Sequence, residues 1–192
     1  MATIKKESKP LMRKKSNDIY MNTIITKRVN VPITNVNKNI KYTLEKIISN
    51  EIEGKCITEG YIKPRSINIL TYSSGLIHGA TIVFEVVIEC NVCNPVEGMT
   101  IPCMVKNITK AGIRAQTDEE VSPIVIFIAR DHHYMSQKFS TIKEGEMINA
   151  KVIGQRFELN DKYISIIAEL VEAKEVLKMK KKKKLIVSNE SA

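Results

Sequence analysis

Four cysteines and three histidines are the residues of this chain best suited to metal or nucleophilic chemistry. Cys90 and Cys93 form a Cys-x-x-Cys pair in "CNVC", with Cys103 ten residues on and Cys56 upstream. A zinc knuckle needs both thiolates on one turn, aimed at one centre. Cys90 lies instead in a run with strand alternation, where side chains three apart leave opposite faces. No second Cys-x-x-Cys follows, and the nearest histidines are His78 and the adjacent His132 and His133. The expectation is buried free thiols and no metal. Nucleophilic catalysis lacks its parts as well. There is no Gly-x-Ser-x-Gly elbow, and no Cys-His pair whose proximity the spacing supports. No Asp-x-Asp cluster offers a metal-dependent nuclease or polymerase site, and "GKCITEG" has too few glycines, wrongly placed, for a phosphate loop. The chain is expected to be no enzyme, with no catalytic residue and no cofactor.

Positive charge is the chemistry that remains. Thirty Lys and Arg against 21 Asp and Glu give a net charge of +9 over 192 residues. Such a balance favours acidic partners: nucleic acid, an anionic membrane or an acidic protein. No apolar run approaches the roughly 20 residues of a membrane-spanning helix; the longest, Ile124 to Ala129, has strand length. The N-terminal "MATIKKESKPLMRKKS" is basic without the apolar core of a secretory signal. Four cysteines without a signal point to reduced thiols in an intracellular compartment.

Two kinds of segment position these charges. Residues 1–17 lack periodicity and read as a basic tail. From residue 18 to 94 the pattern is that of an α+β unit. "IYMNTIITKRVNVPI" is a strand, and Ile40, Leu44, Ile47 and Ile48 are at helical spacing with Asn35 or Asn37 as the N-cap. Strands then follow in "KCITEGYIK", "SINILTYS" and "ATIVFEVVIECNV", as an antiparallel meander with glycines at the turns. Residues 95–177 hold five short strands: "EGMTIPCMVKNI", "AGIRAQ", "PIVIFIA", "GEMINAKVIG" and "KYISIIAEL". Five antiparallel strands with one connection long enough for a short helix fit a Greek-key barrel of the OB type. Asn160-Asp161 supplies turn chemistry for the closing hairpin. Residues 178–192 contain five consecutive lysines, Lys180 to Lys184, which repel one another and favour an unfolded tail. A solvated tail, a non-specific nucleic-acid contact and nuclear import all fit that run.

OB barrels commonly grip oligonucleotides with basic groups and stacking platforms on one face. In "GIRA", Ile113 and Ala115 are expected to point inward and Arg114 and Gln116 outward. An outward arginine can stack on a base as well as pair with phosphate. The candidate RNA contacts are Lys106, Lys110, Arg114, Arg130, His132, Lys151, Arg156 and Tyr163. Each alone fits a solvated surface residue; their concentration in one barrel carries the reading. Aromatic residues make up only 5% of the chain, and tryptophan is absent.

The order of parts resembles a known family. "EGKCITEGYIK" (53–63), "GATIVFEVVIECNVCNPVEGM" (79–99), "IFIARDHHY" (126–134) and "VIGQRFELNDKYISIIAEL" (152–170) are similar, in order and spacing, to the seventh-subunit family of eukaryotic RNA polymerase II and its archaeal relatives. The resemblance covers residues 18–172. It implies a stalk subunit of a DNA-directed RNA polymerase, with an N-terminal tip domain (18–94) docking on the polymerase core subunits. It also implies a fourth-subunit-like stalk partner where one exists, and an OB barrel holding nascent single-stranded RNA at the exit path. No membrane is implied. Heavy Ile, Lys and Asn usage points to a low-GC genome such as that of a large DNA virus. The compartment would then be a nucleus, or a cytoplasmic viral factory or virion. The competing reading is a free-standing OB-fold RNA-binding protein, such as a translation or RNA-decay factor.

Overall fold

The computed structural model describes residues 19–133 and 137–171. Both basic tails, with Lys180 to Lys184, lie outside the described residues, as do Tyr134 and the last residues assigned to the barrel domain.

A long two-stranded ribbon organises the N-terminal half. β1 (Tyr20–Pro32) pairs antiparallel with β6 (Thr81–Cys93) over its whole length, from Tyr20 opposite Cys93 to Pro32 opposite Thr81. The other edge of β6 takes three short strands in turn: β5 (Leu76–His78), β4 (Asn68–Tyr72) and β3 (Gly60–Ile62). β2 (Cys56–Ile57) pairs outside β3. The 13-residue β6 is β-branched or apolar at most positions, so it can bury one face throughout. Val86, Ile88, Cys90 and Val92 alternate into the core, where they meet α1 (Ile40–Ile52) through Leu44, Ile48 and Ile52. Burying each such side chain contributes about 1.5–3 kcal/mol.

The helix begins differently from the expectation. Asn39 occupies the N-cap position and its side chain makes no capping bond. Asn37 instead accepts the Asn39 N–H at 3.0 Å through Oδ1, and Asn35 ends a 3-10 turn over Ile33–Asn35. That turn takes up Asn35, one of the two residues expected to cap. At the other end, Lys55 Nζ donates to the carbonyls of Asn50 and Glu51, satisfying acceptors the helix leaves unpaired.

The second half is a closed barrel of β7 (Thr100–Ile108), β8 (Gly112–Gln116), β9 (Ile124–Ala129), β10 (Met147–Arg156) and β11 (Ile164–Leu170). Its order is β7-β8-β9-β11-β10, with β10 returning to β7. A 3-10 turn (Arg130–His133) and α2 (Gln137–Thr141) connect β9 to β10. This is the expected five-stranded barrel, and its order fits the OB fold. One pairing differs from the all-antiparallel expectation: β11 runs parallel to β9, with Ile164 opposite Ile124 through Ala168 opposite Ile128. The helical connector carries the chain across the barrel before β10, so β11 returns in the direction of β9.

The two halves share a core. Ile19, Cys56, Tyr61 and Cys93 belong to the barrel's buried cluster rather than to the helix-backed one. Cys56 N–H donates to Asp161 O at 2.8 Å and Asn160 N–H to Cys56 O at 2.9 Å, which joins the β10–β11 turn to β2. Asn160 makes that turn with φ of 70°, as its Asx chemistry permits. Cys90 and Cys93 are divided between the two cores, so the "CNVC" thiols do not converge.

Candidate nucleic-acid interface

Alternation along the barrel strands sets what faces outward. Ile113 and Ala115 are fully buried, while Arg114 is exposed and Gln116 half-exposed. The pairing register extends this outward row across neighbouring strands. Arg114 pairs with Asn107 on β7 and with Phe127 on β9. Phe127 pairs with Ile167 on β11, and Ile167 with Gly154 on β10. Phe127 and Ile167 keep 38% and 52% of their surface in water, so the centre of the row is apolar and accessible.

Gly112 makes room for this arrangement. A Cβ there would lie 2.3 Å from the Ile128 carbonyl oxygen and 3.0 Å from Phe127 Cζ. The Phe127 ring therefore reaches over bare backbone, one pairing step from Arg114. An exposed ring beside a guanidinium is the combination that receives an unpaired base.

At the end of the row, Ile108, Thr109, Lys110 and Arg130 line an open cleft of about 450 Å³. Arg130 anchors there by three contacts. Its backbone N–H donates to Ala111 O at 3.0 Å, Nη2 donates to Thr109 O at 3.3 Å, and the guanidinium lies 5.4 Å from the Phe139 ring centre. His133 stacks on Phe139 at 5.4 Å and accepts the Leu170 N–H at 3.1 Å through Nε2. Burial holds the His133 pKa below the usual histidine range, and His132 pushes the same way while Glu169 opposes. His132 is exposed beside it.

The remaining candidates are placed otherwise. Lys151 is bound to Glu169 at 2.7 Å and Arg156 to Glu158 at 3.3 Å, so carboxylates offset both charges. Lys106 leans on Met104 Sδ at 3.7 Å, beside the bulge that shifts Asn107 toward Arg114. Tyr163 is exposed just before β11, two residues from the Asp161 carbonyl that receives the Cys56 N–H. The structure thus brings Lys110 and Arg130 to one cleft and sets Arg114 in the outward row, to which it adds Phe127 and Ile167. Those two were missed because "IVIFIA" and "ISIIAEL" are apolar on both faces; only alternation, with Ile124, Ile126 and Ile128 inward on β9 and Ile164, Ile166 and Ala168 inward on β11, sends Phe127 and Ile167 out.

No group of three or more His, Cys, Asp or Glu side chains that could hold a metal occurs among the described residues. All four thiols are free and buried. Burial pushes the thiol pKa of Cys93 and Cys103 up to about 12 and that of Cys56 up to about 11.

No family model matches the chain. The chain is similar to a protein of Acanthamoeba polyphaga mimivirus named "Putative DNA-directed RNA polymerase subunit L376". The two are 25% identical over 171 residues, which cover 80% of this chain and 83% of the viral protein.

Proposed function

We propose that this chain is a non-catalytic stalk subunit of a DNA-directed RNA polymerase, docking on the core enzyme by its N-terminal half and holding nascent single-stranded RNA on its barrel. The observation that carries this is the match, along most of both chains, to a viral protein named as a polymerase subunit. The closed barrel with Arg114 and Phe127 paired on its outer face supports the RNA-holding part. Capture would be electrostatic with one stacked base and no sequence readout, so affinity falls steeply with salt. The chain would act wherever its polymerase works, in a nucleus or a cytoplasmic viral factory, beside a fourth-subunit-like partner where one exists.

Affinity purification of the tagged chain tests the assembly. A polymerase subunit stays with the largest polymerase subunits through a high-salt wash and nuclease. A free RNA-binding protein leaves with the RNA, which would sink the reading. Crosslinking to RNA in the purified enzyme tests the barrel. Lys110→Glu with Arg114→Glu is expected to cut the barrel crosslink at least tenfold. Reversal at Lys151 and Arg156, already paired to carboxylates, should cut it less. Phe127→Ala is expected to cost about 1–3 kcal/mol of binding. An unchanged crosslink in the first variant removes RNA from the barrel.

A further inference from the structure

The end of the β1–β6 ribbon away from the barrel is built from two stretches without Lys, Arg, Asp or Glu. They run from Val29 to Asn37 and from Ser66 to Phe84, in a chain that is 27% charged. The stretches meet at this end. Pro32 pairs with Thr81, Thr81 also pairs with His78, and the Ile33 N–H donates to Ala80 O at 3.1 Å. The flanking charges, Arg28 and Glu85, neutralise each other at 2.9 Å. Lys38 comes only where the chain turns into α1.

This end is also apolar. Ile77 keeps 77% and Leu76 72% of its surface in water, the highest values for large apolar side chains among the described residues. Ile33 and Val36 are exposed beside them. The register puts Leu76 next to Val83 on the sheet's outer face, and Ile77 next to Ile82 on the α1 face. Both faces of the hairpin end are therefore apolar. The display is held in place. A Cβ on Gly75 would lie 2.3 Å from Ile82 Cγ2 and 2.8 Å from the Phe84 ring, so the chain before Leu76 is pressed onto the sheet. Tyr72 meets the Phe84 ring edge-on at 6.4 Å between centres, and the Thr81 hydroxyl donates to His78 O at 3.0 Å.

We infer that this end of the ribbon is a wedge that inserts into an uncharged, apolar socket on a partner protein, with Leu76 and Ile77 as its anchors. A contiguous apolar patch held open to water marks an interaction site. Nucleic acid is the wrong occupant, since its phosphates need cations and the wedge supplies none. An anionic bilayer would likewise meet no lysine or arginine here. A flat protein face would cover Leu76 or Ile77, which leave opposite faces of the strand; a socket takes both. A charge in that socket would lose its hydration without gaining a partner, so the socket is neutral. Assigning the socket to the polymerase core rests on the proposed function, whereas its chemistry is read from the wedge alone.

The test uses the full chain, free and assembled into its polymerase. Ile77→Cys places one accessible thiol in a protein whose described thiols are all buried, and Leu159→Cys does so on the exposed β10–β11 turn as a reference. Assembly is expected to lower the maleimide labelling rate of Ile77→Cys relative to Leu159→Cys by about tenfold or more. A ratio unchanged by assembly overturns the inference. Leu76→Ser with Ile77→Ser is expected to cut recovery of the largest polymerase subunits by about tenfold with the melting temperature unmoved. Wild-type recovery should hold from about 0.1 to about 1 M salt, because screening weakens charge pairs and spares apolar contacts. If the wild type recovers no polymerase, the proposed function falls and this docking with it. If the wild type recovers it and the double variant recovers as much, the wedge is refuted while the function stands. Flotation of the wild type with neutral phosphatidylcholine vesicles, abolished in the double variant, would give this end to a bilayer and overturn the inference.

Discussion

His133 shows how one side chain ties chemistry to architecture. Its Nε2 accepts the Leu170 N–H, which only a neutral imidazole can do, and the ring is stacked on Phe139 with Arg130 on the same aromatic. Burial lowers its pKa in the folded protein, with Glu169 opposing and His132 assisting. A depressed histidine contributes stability that is present above the unfolded value of about 6.5 and is lost as pH falls toward the folded value. Lowering pH from 7.5 to 5 should therefore reduce the melting temperature and speed exchange of the Leu170 amide beyond the intrinsic pH effect. His133→Gln, which keeps an acceptor and cannot titrate, should flatten that dependence; an equally steep profile in the variant would refute the role. The thiols give a second expectation. With Cys56, Cys93 and Cys103 buried and their pKa values raised, Ellman's reagent at pH 8 should find almost no reactive thiol until denaturant exposes all four. At this scale the sequence was readable wherever period two applied. It separated Cys90 from Cys93 and turned Arg114 outward. It did not reveal that Lys151 meets a carboxylate, because the Glu169 contact depends on the register between two strands.

Among elements, β6 is the spine on which the N-terminal half is assembled, and at Gly60 the β3 backbone closely approaches the β6 main chain. Gly60 has φ of +132°, and an added Cβ would lie 2.4 Å from the Cys93 carbonyl oxygen. Gly60→Ala is expected to destabilise by about 1–3 kcal/mol from the backbone conformation alone. The collision with β6 adds to that, since the obstacle is main chain and not a yielding side chain. A urea midpoint unchanged from the wild type would show that β3 can shift off β6. The glycine was legible as a turn signal, and so were the long strands, the helix stripe and the Asn160-Asp161 hairpin turn. Neighbour choice was not. Alternation says which face of β9 and β11 is buried, yet it is silent on which edges meet, so the parallel pair was out of reach. The bulge between Val152 and Gly154 was likewise invisible, because Ile153 continues an apolar run that looks regular in sequence.

For the whole molecule the decisive feature is the junction. Tyr61, buried to 1% exposure, lies in one row across the sheet with Tyr20, Cys93 and Cys56, and that row packs into the barrel's cluster. A side chain from one half is thus core to the other. The β2 bridge to Asn160 and Asp161, with Gln155 donating to Asn94 at 2.7 Å, holds the halves in register. Such a shared core should make unfolding cooperative, with both halves lost in one transition. Tyr61→Ala is expected to cost about 3–5 kcal/mol, as for other large aromatic truncations in a core. It should reduce exchange protection in β6 and in β9 together. Tyr61→Phe separates packing from polarity: its hydroxyl has no protein partner among the described residues, so its removal should leave stability within about 0.5 kcal/mol of wild type. If Tyr61→Ala lowered protection in β6 while β9 kept its full protection, the halves would be independent bodies.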